Sequence, residues 1–344
     1  MRTEQRHVLV TGGAGYLGCV LVPKLLGRGY RVTVLDAFHF GLEAIEQYRS
    51  HTRVSLVAGD IRDSPEVGRL LEAERFTDVI HLAAIANDPC ADLDEQLATS
   101  VNGEAVQQLM RLAKRTGVRR FLYASSASVY GIKEMPDVTE DLPLEPITIY
   151  ARLKAEGERV LNSLADDEFC GCSVRAATVC GYSPRLRLDL TVNLLTEQAV
   201  RRGEIRVFGG EQLRPNVHIQ DLTDCYVHLL EVPEQAIQRE AFNVCRENAS
   251  VMSLAERIRD EVNPALPIRV VPTEDRRSYH LSSAKTSRVL GFTPRRSLSE
   301  AIRELRKAFG SGLVPDPDAA HYRNVRFMQQ DPLAWNRVRA WGEL

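Results

Sequence analysis

Tyr150 and Lys154 stand four residues apart, a spacing that puts both side chains on one face of a helix. A positive charge beside a phenol favours the phenolate, so this pair can take and return a proton near neutral pH. A third candidate, Ser126, lies 24 residues before Tyr150 in the run Ser125-Ser126-Ala127-Ser128-Val129-Tyr130-Gly131. That run closes a strand-like segment and brings its hydroxyls to the carboxyl edge of a sheet, where open α/β sheets bind ligands. The trio suits a reaction that moves a proton on and off a hydroxyl while the carbon beneath it changes oxidation state.

Such a reaction needs a hydride acceptor, and a second motif provides for one. Thr11-Gly12-Gly13-Ala14-Gly15-Tyr16-Leu17-Gly18 stands between a β-branched run and a helical one. Glycines at 12, 15 and 18 permit a tight turn and close approach of backbone to a pyrophosphate, with the helix N-terminus pointing at the anion. Tyr16 and Leu17 belong to the same cradle. The second strand-like run ends in Asp36, 18 residues past Gly18, where a carboxylate accepts hydrogen bonds from ribose hydroxyls. Ala37-Phe38-His39 follows, with no arginine to meet a 2′-phosphate, so the pattern selects NAD over NADP. Asp60 and Ile61 close the third strand at the adenine edge; Asp60 also reads as a helix cap ahead of Ser64-Pro65.

The elements that position these groups alternate along the chain. Strand-like runs at 7–10, 31–35, 54–57, 79–82 and 121–124 are separated by helix-length segments, among them 20–28 and 97–116. This rhythm predicts an α/β fold with a doubly wound parallel sheet. From about residue 181 the alternation loosens into a polar, Arg-rich loop, then a strand-like run at 241–245 and helices at 254–262 and 298–309, the last with Ser297 as N-cap. The expected organisation is a dinucleotide-binding Rossmann domain of residues 1–180 and 222–248, interleaved with a smaller substrate-binding subdomain of 181–221 and 249–310. A tail of 311–344 carries Trp335 and Trp341, which argue that it docks on its own subunit or a neighbour.

Composition narrows the class. At 344 residues with 44% hydrophobic and 26% charged residues the chain can bury a large core. Lys and Arg total 44 against 46 Asp and Glu, which leaves no basic footprint for nucleic acid or a membrane surface. Seven scattered cysteines form no zinc or disulfide spacing; no metal is expected, and a reducing cytosol fits. No run of about 20 apolar residues and no signal-peptide core precede the first strand, so a cytoplasmic location is expected.

In order and spacing, TGGAGYLG, Asp36, HLAA at 81–84, SSASVYG and Tyr150-Ala-Arg-Leu-Lys154 resemble the extended short-chain dehydrogenase/reductases, in the NAD-dependent nucleotide-sugar epimerase/dehydratase branch of the UDP-glucose 4-epimerase type. The resemblance covers about residues 6–310. It implies that Ser126 hydrogen-bonds the reacting sugar oxygen, that Tyr150 transfers the hydroxyl proton and that Lys154 holds the nicotinamide ribose and tunes Tyr150. Leu82, Ala83 and Ala84 would line the dinucleotide, and Asn102 would sit in the helix behind. On the substrate side it assigns Asn193 to the sugar diphosphate, Val207 and Phe208 to the strand over the nucleotide, Arg214 to the phosphates, and Arg276 or Arg277 as a second cation.

Several positions depart from the family pattern. Thr178 stands where relatives often carry a substrate-binding Asn, Ala176 and Ala177 suggest a roomier pocket, and Leu153 replaces a common Ser. Asn87 or Asp88 reads an unusual sugar or forms an Asx turn before Pro89. Sugar dehydratases and decarboxylating relatives place acids just after the catalytic Ser, where this chain has Ala127 and Ser128. The expectation is therefore epimerisation of a nucleotide-diphosphate sugar through a transient keto intermediate. A nucleotide-sugar 4-ketoreductase or dehydrogenase is the alternative. A dehydratase is less favoured, as is a non-enzymatic NAD-sensing regulator, which would have lost Tyr or Lys. The family also implies a homodimer built on helices near 101–112 and 151–161, with no nucleic-acid or membrane partner.

Overall fold

The computed structural model describes residues 6–133, 135, 137–273, 280–338 and 341–343. Runs of Val, Leu and Ile that are buried on both faces form the first strands, as a parallel sheet covered by helices requires. They are β1 (His7–Thr11), β2 (Arg31–Asp36), β3 (Val54–Ala58), β4 (Asp78–His81), β5 (Arg120–Ser126) and β6 (Cys170–Ala176). The crossovers between them are α1 (Gly18–Gly27), α2 (Ser64–Glu74), then α3 (Asp88–Ala91), α4 (Glu95–Thr99) and α5 (Val106–Arg115), and finally α6 (Ile149–Leu164). The chain continues as β7 (Thr178–Cys180), α7 (Thr191–Arg202), β8 (Ile205–Phe208), β9 (Leu213–His218), α8 (Ile219–Glu231), β10 (Glu240–Val244), β11 (Glu247–Ser250), α9 (Val251–Val262) and β12 (Ile268–Val271). It ends with α10 (Ala284–Leu290), α11 (Leu298–Gly310), α12 (Asn324–Gln330), α13 (Pro332–Asn336) and β13 (Gly342–Glu343).

Seven parallel strands in the order β10-β6-β5-β4-β1-β2-β3 make the main sheet, with β13 added antiparallel to β3. The chain winds outward from β1 through β2 and β3, then returns to lay β4 on the other side of β1. That reversal opens a crevice at the carboxyl ends of β1 and β4, the place where doubly wound sheets take ligands. β7, β9 and β11 form a second sheet, and β8 and β12 a third, over a separate apolar cluster that includes Leu195, Val207, Leu254 and Ile302. Because β11 pairs with β9, the stretch that rejoins the main sheet ends at Val244 rather than 248.

The single helix expected over 97–116 is divided. Residues Ser100–Ala105 form a π-helical turn between α4 and α5, which turns Asn102 towards the loop after β4. Its amide accepts from the Ile85 N–H and donates to the Ile85 carbonyl, each at 2.9 Å. A wide turn of this kind carries no sequence signature and is frequent beside functional sites. The tail docks on its own chain: Trp335 stacks on His39 with ring centroids 4.2 Å apart, and Trp341 covers Gly59. A Cβ at Gly59 would lie 2.8 Å from the Trp341 ring, so the close approach depends on glycine.

Candidate active site

The crevice holds a cavity of about 370 Å³ whose wall is made by the ends of β1, β2, β4 and β5, the first turns of α1 and α6, and the loop after β7. At its cofactor end the backbone admits only glycine. Gly12 has φ +73°, and a Cβ there would sit 2.5 Å from the Ala83 nitrogen; one at Gly18 would sit 2.3 Å from the Gly13 carbonyl oxygen. Leu17 leaves the N-terminus of α1 without a side-chain cap, and although the Cys19 N–H is taken by the Gly15 carbonyl, the Leu17 and Gly18 N–H groups have no partner among the described residues and are available to an anion. The Asp36 carboxylate accepts from the Ala14 N–H at 2.9 Å and the Phe38 N–H at 2.8 Å, which fixes it at the edge of the cavity. Gly12, Gly15, Tyr16, Leu17, Asp36, Asp60, Ile61 and Leu82 to Ala84 all line this end. Asp60 is locked to Arg62, with 2.6 Å between Oδ2 and Nη2, and the cap of α2 is Asp63 instead. These features fit a dinucleotide: bare N–H groups for a pyrophosphate, a carboxylate for ribose hydroxyls and an apolar floor.

The reacting end is built on α6. Thr148 caps that helix by accepting from the Ala151 N–H, and its hydroxyl also donates to Asp88 at 2.6 Å. Tyr150 therefore enters the cavity from the first turn, where Ser126 also lines the wall. Lys154, one turn on, donates to the Ala124 carbonyl at 2.7 Å, and its Nζ lies 5.7 Å from the Tyr150 ring centroid. Burial pushes Lys154 down to about 8 against the opposing pull of Glu158. Glu158 is held in turn by Arg175 at 2.7 Å and by the Ser125 hydroxyl, so the strand beneath the site fixes the group that keeps Lys154 charged.

The Tyr150 hydroxyl departs from the expectation carried by the Tyr-Lys spacing. Burial and then the Asp88 charge push it up to about 12, while Arg187 and Ser126 act in the opposite direction. Lys154 donates to a backbone carbonyl and the chain alone raises the phenol on balance; the charge of an oxidised nicotinamide, when bound, would add to that of Arg187 in favouring its ionisation. A consequence can be tested. Asp88→Asn removes a charge that raises Tyr150, and Arg187→Met removes one that lowers it. The limb of the pH profile of kcat/KM that reports Tyr150 is expected to move to lower pH in the first variant and to higher pH in the second. Shifts in the same direction would contradict the geometry.

The substrate-side residues divide. Asn87, Ser126, Tyr150 and Thr178 line the cavity, as do Ala176 and Ala177, which leave room beside the sugar position. Asn87 also caps α3 by accepting from the Cys90 N–H at 3.0 Å, and adopts φ +82° to do so. Asn193, Val207, Phe208 and Arg214 are not brought to this cavity. Asn193 is fully buried and its amide is used up: Nδ2 donates to the Tyr16 hydroxyl and the Arg187 carbonyl, and Oδ1 accepts from the Gly181 N–H. Val207 and Phe208 alternate along β8, the first in the core of the second unit and the second exposed. Arg214 lies on β9 opposite Ala249 of β11. Arg276 and Arg277 lie outside the described residues. In their place the cavity holds Arg185 and Arg187 from the loop after β7, together with Ser128, Asn324 and Trp335. The Arg-x-Arg-x-Asp spacing of 185–189 was the available signal for the first pair; nothing local marks Asn324.

A family model, the NAD dependent epimerase/dehydratase family, matches residues 8–245, which span both the glycine turn and Ser126, Tyr150 and Lys154. The chain belongs to this family. It is 27% identical over 331 residues to UDP-glucose 4-epimerase 3 of rice, covering 86% of this chain and 88% of the relative. Among solved structures it resembles UDP-glucose 4-epimerase of Thermotoga maritima with UDP-glucose (25% identity, TM-score 0.80, 89% of this chain and 99% of the other). UDP-glucuronic acid 4-epimerase of Bacillus cereus, in complex with UDP-glucuronic acid and NAD, superposes with the same identity, TM-score and coverage. This family member is an NAD-dependent α/β enzyme of the Rossmann type.

Proposed function

We propose that this enzyme inverts a hydroxyl-bearing carbon of a nucleotide-diphosphate sugar through a transient keto sugar. The observation that carries this reading is the make-up of the reacting end. One proton-transferring hydroxyl, Tyr150, shares a cavity with Ser126 and the glycine turn, and no acid stands at 127 or 128. NAD, when bound at the glycine turn, would supply the hydride acceptor for the first half of the cycle and the hydride donor for the second. Ser126 orients the sugar hydroxyl by a hydrogen bond, Tyr150 takes its proton and later gives one back, and Lys154 keeps positive charge beside the ribose. Wall residues Ala176 and Ala177 leave space for the keto sugar to present either face.

A ketoreductase or dehydrogenase would use the same trio but release its dinucleotide every turnover. Denaturing the freshly purified protein and identifying what is released by mass spectrometry separates these readings. Stoichiometric NAD is expected; a site that loads only on addition of NAD(P)H would count for the net redox reaction. We place the enzyme in the cytoplasm as a homodimer formed over the outer face of α5 and α6. No helix among the described residues is long and apolar enough to cross a membrane.

A further inference from the structure

The loop after β7 is fastened across the glycine turn. The Tyr16 hydroxyl donates to the Gly181 carbonyl at 2.7 Å, and the Ser183 hydroxyl donates to the Tyr16 carbonyl at 2.8 Å. This places two buried guanidinium groups, Arg185 and Arg187, in the cavity wall. Arg187 is paired with Asp189 through Nε and Nη2 at 2.9 and 3.0 Å. Arg185 is not: among the described residues no carboxylate comes within ion-pair distance of it. Its Nη2 donates to Asn324 at 2.6 Å, its Nη1 reaches only the Leu186 carbonyl at 3.5 Å, and its Nε is buried without a partner. The guanidinium carbon lies over the Phe40 ring, 3.6 Å from its centroid. Burial and the neighbouring Arg187 push it down to about 9. A buried cation short of negative charge is costly unless a ligand anion completes it.

We propose that Arg185 is a second clamp on the pyrophosphate of the bound dinucleotide, facing the glycine turn from the substrate side, and that the C-terminal segment holds it there through Asn324. Two contacts favour the dinucleotide over the sugar diphosphate. Phe40, which carries the guanidinium, lies four residues past Asp36, and the loop that bears Arg185 is tied to Tyr16 of the glycine turn. The segment that delivers Asn324 is itself anchored at the cofactor end, where Arg62 donates to the Trp335 and Arg337 carbonyls at 3.1 Å. The tail is thus part of the cofactor site. The inference rests on NAD binding and is independent of which reaction follows.

The test uses the full-length holoenzyme. Exchange of bound NAD for labelled NAD is followed in Arg185→Met, which keeps the bulk and removes the charge, and in Asn324→Asp, which keeps the shape and gives Arg185 a carboxylate. Losing one charge-assisted contact predicts exchange faster by roughly 10- to 100-fold in Arg185→Met. Asn324→Asp is expected to speed exchange as well while leaving Tm unchanged or higher, an effect that a merely structural Asn324 would not produce. Affinity for UDP, titrated into the same holoenzymes, should stay within about twofold of the parent. NAD exchange unchanged in both variants would overturn the proposal. So would weakened UDP binding with unchanged NAD exchange, which would move the cation to the sugar diphosphate. If Arg185→Met fails to fold, Asn324→Asp decides alone.

Discussion

Tyr150→Phe is expected to lower turnover by roughly 10²- to 10⁴-fold while the protein keeps its NAD. The substitution removes one oxygen and leaves the ring against α6, so neither the cap at Thr148 nor the contact of Lys154 with the Ala124 carbonyl is disturbed. Ser126 keeps its bonds from the Ser128 N–H and hydroxyl at 3.2 and 3.0 Å. Steady-state rates with the NAD content of the same preparation check this. Loss of turnover together with loss of NAD would point to a structural role, and turnover within tenfold of the parent would remove Tyr150 from the chemistry.

Gly12→Ala is expected to strip the dinucleotide from the enzyme and with it the activity. The added Cβ meets backbone, not a movable side chain: Ala83 N at 2.5 Å, Ala83 Cα at 2.7 Å and Leu82 C at 2.9 Å. Relief requires the loop after β4 to move away from β1, which opens the floor of the cofactor end, and the φ of +73° adds about 1 kcal/mol or more of strain. A second glycine of the same βα unit provides the control. Gly27 in α1 has nothing within 4 Å of its Cβ position and no positive φ, so Gly27→Ala should retain NAD and gain roughly 0.5–1 kcal/mol of stability. Equal NAD content in the two variants, measured by release and mass spectrometry, would show that the turn is not a cradle.

The main sheet was legible because its signals are local. Runs such as Val8-Leu9-Val10 and Val32-Thr33-Val34-Leu35 read as buried strands, the glycine turn follows the first of them, and Ser297 is the N-cap of α11 as its position suggests, with Glu300 completing a capping box in the structure. The placement of Tyr150 and Lys154 was legible for the same reason, since they share one helix. What escaped depends on contacts between distant segments. The 181–190 loop read as a polar stretch because its arginines are held inward by distant segments, through Tyr16 some 165 residues before the loop and Asn324 after it. Asn193 has the residue type of a ligand-binding amide, but the same Tyr16 and Gly181 consume it. The two tryptophans of the tail announced that it docks, yet nothing near them names His39 and Gly59 as the partners. The sign of the Tyr150 shift escaped because it is decided by burial and by Asp88, which reaches α6 through Thr148 rather than through any sequence neighbour.

The central claim is inversion at a sugar carbon with bound NAD regenerated in each cycle. Its most direct test is to incubate the holoenzyme, without added dinucleotide, with a panel of nucleotide-diphosphate sugars and follow the sugar signals by proton NMR and mass. The account predicts that one of them approaches an equilibrium mixture with its epimer at unchanged mass. A product lighter by one water or one carbon dioxide, or conversion only when NAD(P)H or NAD is added in stoichiometric amount, would contradict it.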